Sequence, residues 1–292
     1  MQIIVTGSLA YDRIMSFQGY FADHILPEKL HVLNVCFQVD GITEKFGGTA
    51  GNIAYALTLM GEKPIISASI GHDYHKYFEW LTQHGIPTDR IRIIKEEFTA
   101  GAYITTDKAD NQITGFNPGA MKYSSNLDFD ALDPSNTMLI VSPGNLSDMI
   151  NYPLACKAKG IDYIFDPGQS LPMLEPADLA QAMDGCRVLI CNDYELDLIM
   201  SKTGFTKTDL LALTRTIIVT LGEAGSKIIT RDCETPIATC TPRQVLDPTG
   251  AGDSYRGGLL SGLIRGMDIM ESARLGSTCA SFAVECYGTQ TY

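Results

Sequence analysis

The chain has 292 residues, 45% apolar and 19% charged, with a formal net charge of −12. That mix excludes a disordered chain and a coiled coil, and the negative charge, with no Lys/Arg run to offset it, argues against a nucleic-acid partner. The longest apolar runs stop short of a membrane span and the N-terminal MQIIVTGS carries no basic leader, so the expectation is a cytoplasmic protein with no membrane partner, one large domain plus an appendage.

Ile3-Ile4-Val5 predicts a first strand, which ends in the turn Gly7-Ser8-Leu9-Ala10-Tyr11-Asp12. Residues 12–44 hold only short alternating runs such as Val35-Cys36-Phe37-Gln38-Val39 and no helical stripe. A helix is predicted over Asn52–Met60, where Ile53, Ala56, Leu57 and Met60 share one face, followed by a strand at Ile65–Ala68. Residues 97–117 alternate again, as in Ala102-Tyr103-Ile104-Thr105-Thr106. Further strands are predicted at Met138–Val141, Tyr163–Phe165, Val188–Ile190 and Ile217–Val219, and a last helix at Glu271–Cys286 with Leu275, Cys279 and Phe282 on its apolar face. This alternation implies an α/β fold, a three-layer (α/β/α) arrangement around a mostly parallel sheet. Residues 1–11, 45–96 and 118–292 would form that core, and residues 12–44 and 97–117 a small β-sheet lid over the carboxyl ends of its strands. Eight cysteines without a C-x-x-C pair read as reduced, buried thiols.

The strongest motif is Asp247-Pro248-Thr249-Gly250-Ala251-Gly252-Asp253-Ser254-Tyr255, followed by the periodic Leu259, Leu260, Leu263 and Ile264. A glycine-rich turn opening a helix presents free N–H groups and the positive end of the helix dipole, so Gly250, Ala251 and Gly252 can form an anion hole. Asp253, in the first turn, can take the proton of a substrate hydroxyl as the phosphoryl group arrives, and the dipole should keep it ionised. Standing alone, an Asp at this place is also a common helix cap. Gly47-Gly48-Thr49-Ala50-Gly51-Asn52 opens a helix with two positions free of side chains, and Asn52 is both donor and acceptor. Walker, protein-kinase and dinucleotide signatures are absent.

The string D-x-T-G-A-G-D-[SA]-[FY] resembles the C-terminal signature of the PfkB, or ribokinase-like, kinases, and Gly47 to Ala54 resembles their G-G-x-x-x-N-x-A segment. The resemblance implies substrate binding by Asp12, which can accept from two vicinal hydroxyls, and by Gly48 and Asn52. It implies phosphate and magnesium handling by Asn192 and Glu195 of the N-x-x-E motif, Glu195 meeting Mg²⁺ largely through water. It also implies a nucleotide loop at Thr220-Leu221-Gly222-Glu223-Ala224-Gly225-Ser226, with Thr220, Gly222 and Gly225 near ATP. Within the family, Val5-Thr6-Gly7-Ser8, Phe116-Asn117-Pro118-Gly119-Ala120-Met121, Asp166-Pro167-Gly168-Gln169 and Gly288-Thr289-Gln290 look like the bacterial adenosine kinases, which adds Ser8, Phe116 (stacking on a base) and Gln169 to the substrate side. One departure is Ala102, a small residue where that subgroup suggests a second aromatic.

The implied activity is transfer of the γ-phosphoryl of Mg·ATP to the 5′-hydroxyl of a nucleoside, adenosine first, with K⁺ as a further cofactor and a homodimer through the lid. The alternative within the family is a free-sugar kinase of the ribokinase or fructokinase type. A phosphofructokinase would need a basic cluster, and the lid offers mainly scattered Arg13, Lys29 and Lys45. A non-catalytic homologue would have lost the base or the anion hole, and both motifs are present.

Overall fold

The computed structural model describes residues 1–292, and its strands form two sheets. β1 (Gln2–Thr6) carries Ile3, Ile4 and Val5, all buried, as a central parallel strand requires. The chain then leaves for β2 (Ala10–Phe17) and β3 (Val39–Gly47), and returns through α1 (Thr49–Leu59), β4 (Pro64–Gly71), α2 (His75–Gln83) and β5 (Ile91–Ile94). It leaves once more for β6 (Ala100–Thr106) and β7 (Gln112–Asn117). After that the elements alternate: β8 (Thr137–Val141), α3 (Leu146–Lys159), β9 (Asp162–Phe165), α4 (Pro176–Met183), β10 (Val188–Asn192), α5 (Asp193–Thr203), α6 (Lys207–Leu213) and β11 (Thr216–Thr220). The hairpin strands β12 (Ser226–Ile229) and β13 (Glu234–Ile237) precede α7 (Ala251–Ile264) and α8 (Ile269–Ala283).

The large sheet runs β13-β12-β11-β10-β9-β8-β1-β4-β5, parallel except that β12 is antiparallel to both its neighbours, β11 and β13. One core packs α1, α2, α7 and α8 on its first face through Ile53, Leu57, Tyr77 and Leu259. A second packs α3 to α6 on the other through Met149, Leu179, Ile199 and Leu210. The small sheet runs β3-β2-β6-β7, with a parallel centre (β2 with β6) and antiparallel outer pairs. Because β2 begins four residues after β1 ends, this sheet starts from the carboxyl ends of the parallel strands, the side on which open α/β sheets bind ligands.

Three expectations are corrected. Leu33–Gln38 lies outside any strand. The alternation of Val35, Phe37 and Val39 is real, but Phe37 turns to the rings of Phe17 and Phe21, each with its centroid 4.9 Å away, instead of to a ladder. The buried face of α8 is not the Leu275, Cys279, Phe282 stripe, and Phe282 is exposed. It consists of Ser272, Ala273, Gly276 and Ser277, because α7 comes so close that a Cβ on Gly258 would lie 2.7 Å from the Gly276 Cα. Of the eight cysteines, all free, only Cys156, Cys186 and Cys191 are buried. No helix is long and apolar enough to cross a membrane.

Candidate active site

α7 opens at Gly250, whose φ of +79° is a conformation that a side chain would strain. No side chain caps this helix, and the N–H groups of Gly252 and Asp253 meet no acceptor within the chain. The Asp253 carboxylate accepts the Asn52 amide from α1 at 2.7 Å through Oδ2, leaving Oδ1 free. Asn52 in turn accepts from Gln290 Nε2 at 3.0 Å. Burial pushes the Asp253 pKa up to about 6, against the opposing pull of the Asn52 bond and the Arg256 guanidinium, with Asp166 adding to the rise. Desolvation thus acts against the helix dipole, and above about pH 6 the group is still a carboxylate. A carboxyl titrating near neutrality is a better base than one at its ordinary value.

Asp12 stands on β2, and its carboxylate occupies the space beside Gly47, where an added Cβ would lie 2.7 Å from Oδ2. Burial raises its pKa despite Lys45, with Asp247 contributing in the same direction. Register places Lys45, Asp12, Ala102 and Phe116 in one row across β3, β2, β6 and β7, so these side chains share one face of the small sheet. Phe116 is exposed there. Arg13 belongs to the opposite face, where it binds Glu44 and the Tyr103 hydroxyl. Asp12 and Asp253 both lie close enough to Tyr77, after burial itself, to push its pKa up.

On the other side of the α7 N-terminus lies a cavity of about 740 Å³. It is lined by Thr220, Gly222 and Gly225 of the loop after β11, by Ala251 and Gly252 of α7, and by Pro242, Val245 and Ala280. Gly225, at φ +93°, is required by its backbone, because a Cβ there would lie 2.2 Å from the Ile237 carbonyl oxygen. The first turn of α7 thus separates a nucleotide-sized cavity from a half-buried carboxylate.

Across residues 12–292 the chain matches the family model described as pfkB family carbohydrate kinase. The chain belongs to the PfkB family. It is a phosphotransferase with an alcohol group as acceptor. It is 35% identical to a Burkholderia thailandensis nucleoside kinase solved in complex with inosine, with a TM-score of 0.87 covering 99% of this chain and 93% of that one. The same kinase in complex with ADP-inosine superposes with a TM-score of 0.84 at 36% identity, covering 99% and 91%. A nucleoside kinase of Methanocaldococcus jannaschii is 33% identical over 267 residues, 90% of this chain and 87% of that protein.

Against this PfkB frame the remaining residues fall in distinct places. Ser8 is buried and its hydroxyl accepts the Thr49 N–H at 3.0 Å, so it caps α1. Gly48, at φ +91°, is held by the chain itself, since a Cβ would lie 2.5 Å from the Ser8 carbonyl oxygen. Asn192 and Glu195 form a reciprocal capping box on α5, the Asn192 Oδ1 accepting the Glu195 N–H at 2.7 Å and Glu195 Oε2 the Asn192 N–H at 2.8 Å. Neither lines the cavity, but Glu195 Oε1 has no protein donor, and burial, with Asp166 adding to it, raises the pKa of this carboxyl despite the Asn192 bond and Arg256. Thr220 lines the cavity and reaches the Cys191 carbonyl at 3.4 Å. Gln169 is exposed in the turn after β9 and makes no hydrogen bond through its side chain.

Sequence reasoning missed Arg256, which binds both oxygens of Asp166 and donates to the Gly252 carbonyl at 3.0 Å. Its guanidinium stands among Asp166, Asp253 and Glu195, tying the carboxylate side to the end of β9. The signal was its place three residues beyond Asp253, one turn along the motif helix. Tyr77, Trp80 and Gln290 were missed as site-building residues because they meet only in the fold.

Proposed function

We propose that the chain transfers the γ-phosphoryl of Mg·ATP to the 5′-hydroxyl of a nucleoside, adenosine among the acceptors. The observation that supports this most is the first turn of α7, with Gly252 on the wall of the nucleotide-sized cavity and Asp253 facing the other way beside Asn52. A hydroxyl bound at Asp253 Oδ1 would face a phosphoryl group seated on the free N–H groups, and phosphoryl transfer asks mainly for such in-line placement and charge stabilisation. Gly250, Ala251 and Gly252 would serve as the anion hole, and Asp12 and Asn52 would hold the ribose diol.

The donor set fits magnesium only in one way. No cluster of three or more His, Cys, Asp or Glu side chains stands ready for an ion. The free oxygen of Glu195 would therefore meet Mg²⁺ through water while the nucleotide phosphates supply the inner ligands, as magnesium usually requires. When bound, the ion would neutralise charge on the transferring group.

For the acceptor, the row from Asp12 to Phe116 spans two strand spacings, about 10 Å, enough to place a ring beyond a diol. That span, and relatives named nucleoside kinases, support a nucleoside. Ala102 between them leaves Phe116 as a one-sided platform, which keeps the free-sugar kinase as the second reading. A coupled assay of ATP turnover with adenosine, inosine, cytidine, ribose and fructose decides it, and turnover with ribose or fructose but no nucleoside overturns the proposal. The same assay in K⁺ against Na⁺ salts tests the monovalent cation. The exposed outer strands β3 and β7 support a lid-to-lid homodimer, tested by the sedimentation coefficient against concentration.

A further inference from the structure

The Asn52 amide meets Asp253 with its nitrogen, and a chain of hydrogen bonds explains why it cannot turn round. The indole N–H of Trp80 is a donor with no acceptor capacity, and it points at Gln290 Oε1 at 2.8 Å. Gln290 must therefore present its NH₂ group to the other side, where it donates to Asn52 Oδ1 at 3.0 Å and to the Tyr77 hydroxyl at 2.9 Å. Tyr77 passes its own proton to the Gly47 carbonyl at 2.7 Å, so both Gln290 protons have acceptors. Asn52, its oxygen taken, has only N–H to offer Asp253. Gln290 is 2% exposed, and Trp80 stacks on Phe46 with ring centroids 5.1 Å apart, so water does not substitute for these partners.

We propose that Trp80 and Gln290 are positioning residues, a relay that fixes the Asn52 amide with its N–H toward Asp253 and so holds the acceptor base as a carboxylate. This inference rests on the reading of Asp253 as the base. Without the indole proton the Gln290 amide is free to turn, its oxygen facing Asn52 and Tyr77. Asn52 then turns its own oxygen to Asp253, and a carbonyl is a good neighbour for that carboxyl only when the carboxyl is protonated. The other groups facing Asp253 are Arg256 from its own helix, Asp166 from the end of β9, Tyr77 from α2 and Tyr292 from the C-terminal segment. A change at position 80 removes none of them.

The test is the pH profile of kcat/KM for the acceptor in Trp80→Phe, which removes the N–H and keeps a ring on Phe46. The acid limb should move up by about one pH unit. With the parent group near 6, turnover at about pH 6 falls roughly fivefold, while at about pH 8.5 it stays close to the parent. KM for ATP should not change. Gln290→Met, which removes the donor to Asn52 Oδ1 without adding a charge, should move the limb in the same direction and is the second variant if Trp80→Phe fails to fold. A lower Tm in either variant with an unmoved limb means the pair is merely structural and overturns the relay. Asp253→Asn, run alongside, separates the two failures: parental turnover there sinks the base assignment itself, whereas loss of turnover there with unmoved limbs in the other two variants sinks only the relay.

Discussion

The two sides of the α7 N-terminus are built by different means. The cavity side is mostly backbone, with Thr220, Gly222 and Gly225 in one loop after β11, Ala251 and Gly252 in the helix turn, and small side chains of α8 behind them. The carboxylate side is mostly side chain, with Asp253 from α7, Asn52 from α1, Tyr77 and Trp80 from α2, Gln290 from the C-terminal segment and Asp12 from β2. A polyphosphate is recognised by N–H groups and a dipole, which any short glycine-rich turn supplies. A neutral polyhydroxyl compound needs individually aimed donors and acceptors, which only a fold gathers. Point substitutions should therefore separate the two sides, the carboxylate side being the more sensitive to a single side-chain loss.

The largest separation is expected from Asp253→Asn, which should lower kcat by roughly 10²- to 10⁴-fold and leave KM for ATP within about twofold. Steady-state kinetics check it, and a parallel rise in KM for ATP breaks the comparison. The same variant has a stability signature of opposite sign. With a folded pKa of about 6 against an ordinary value of 3.8, the folded state binds this proton more tightly, so stability falls as pH rises between these values. Removing the charge should raise Tm at pH 7.5 and have little effect at pH 4.

Arg256 joins the two sides, so Arg256→Met should damage both. It leaves Asp166, 2% exposed, without its partner, a loss of about 3–5 kcal/mol in stability. Denaturant unfolding measures it, and the double variant with Asp166→Asn should recover much of the loss. Should the single variant unfold like the parent, the pair does not bridge the halves. Next in size, Asp12→Ala should raise KM for the acceptor by roughly 10- to 150-fold, the worth of hydrogen bonds to a charged group. ATP should be little affected, and equal losses toward both substrates mean that Asp12 is structural.

The same division governs what can be read from the sequence. The cavity side lies in contiguous strings, Thr220 to Ser226 and Asp247 to Tyr255, whose glycines announce turns opening onto a helix or strand, and the six predicted strands all fall within β1, β4, β8, β9, β10 and β11. β5, β12 and β13 escaped because each is four residues long and carries charge or proline, as in Arg92, Lys227 and Pro236. On the carboxylate side, Gln290 is 238 positions from Asn52, and no local pattern connects them. The pKa of Asp253 was equally hidden, because a helix N-terminus is visible in a motif while the burial that outweighs it depends on the packed α1, α2 and C-terminal segment. Asn192 and Glu195 show the reverse: a capping box is fully local, and the motif that implied phosphate handling also carries that structural role.

The finest test lies within the acceptor side, between the buried groups and the exposed face of the small sheet. Asp12 and Asn52 would treat a free sugar and a nucleoside alike, so discrimination falls to Phe116 on β7, an exposed ring in the same cross-sheet row as Asp12. A base stacked on one aromatic face gains about 1–3 kcal/mol, a factor of about 5 to 150 in affinity. Phe116→Ala should weaken adenosine by that factor and leave any ribose turnover nearly unchanged. Ala102 pairs with Phe116 across the two strands, so Ala102→Phe would set a second ring beside the first and should tighten adenosine, by less than Phe116→Ala loosens it because the added side chain must also be ordered. The measurement is kcat/KM for adenosine and ribose in parent and both variants. If Phe116→Ala lowers the two in equal proportion, the ring contributes to the sheet and not to a base, and the proposed nucleoside acceptor gives way to a free sugar.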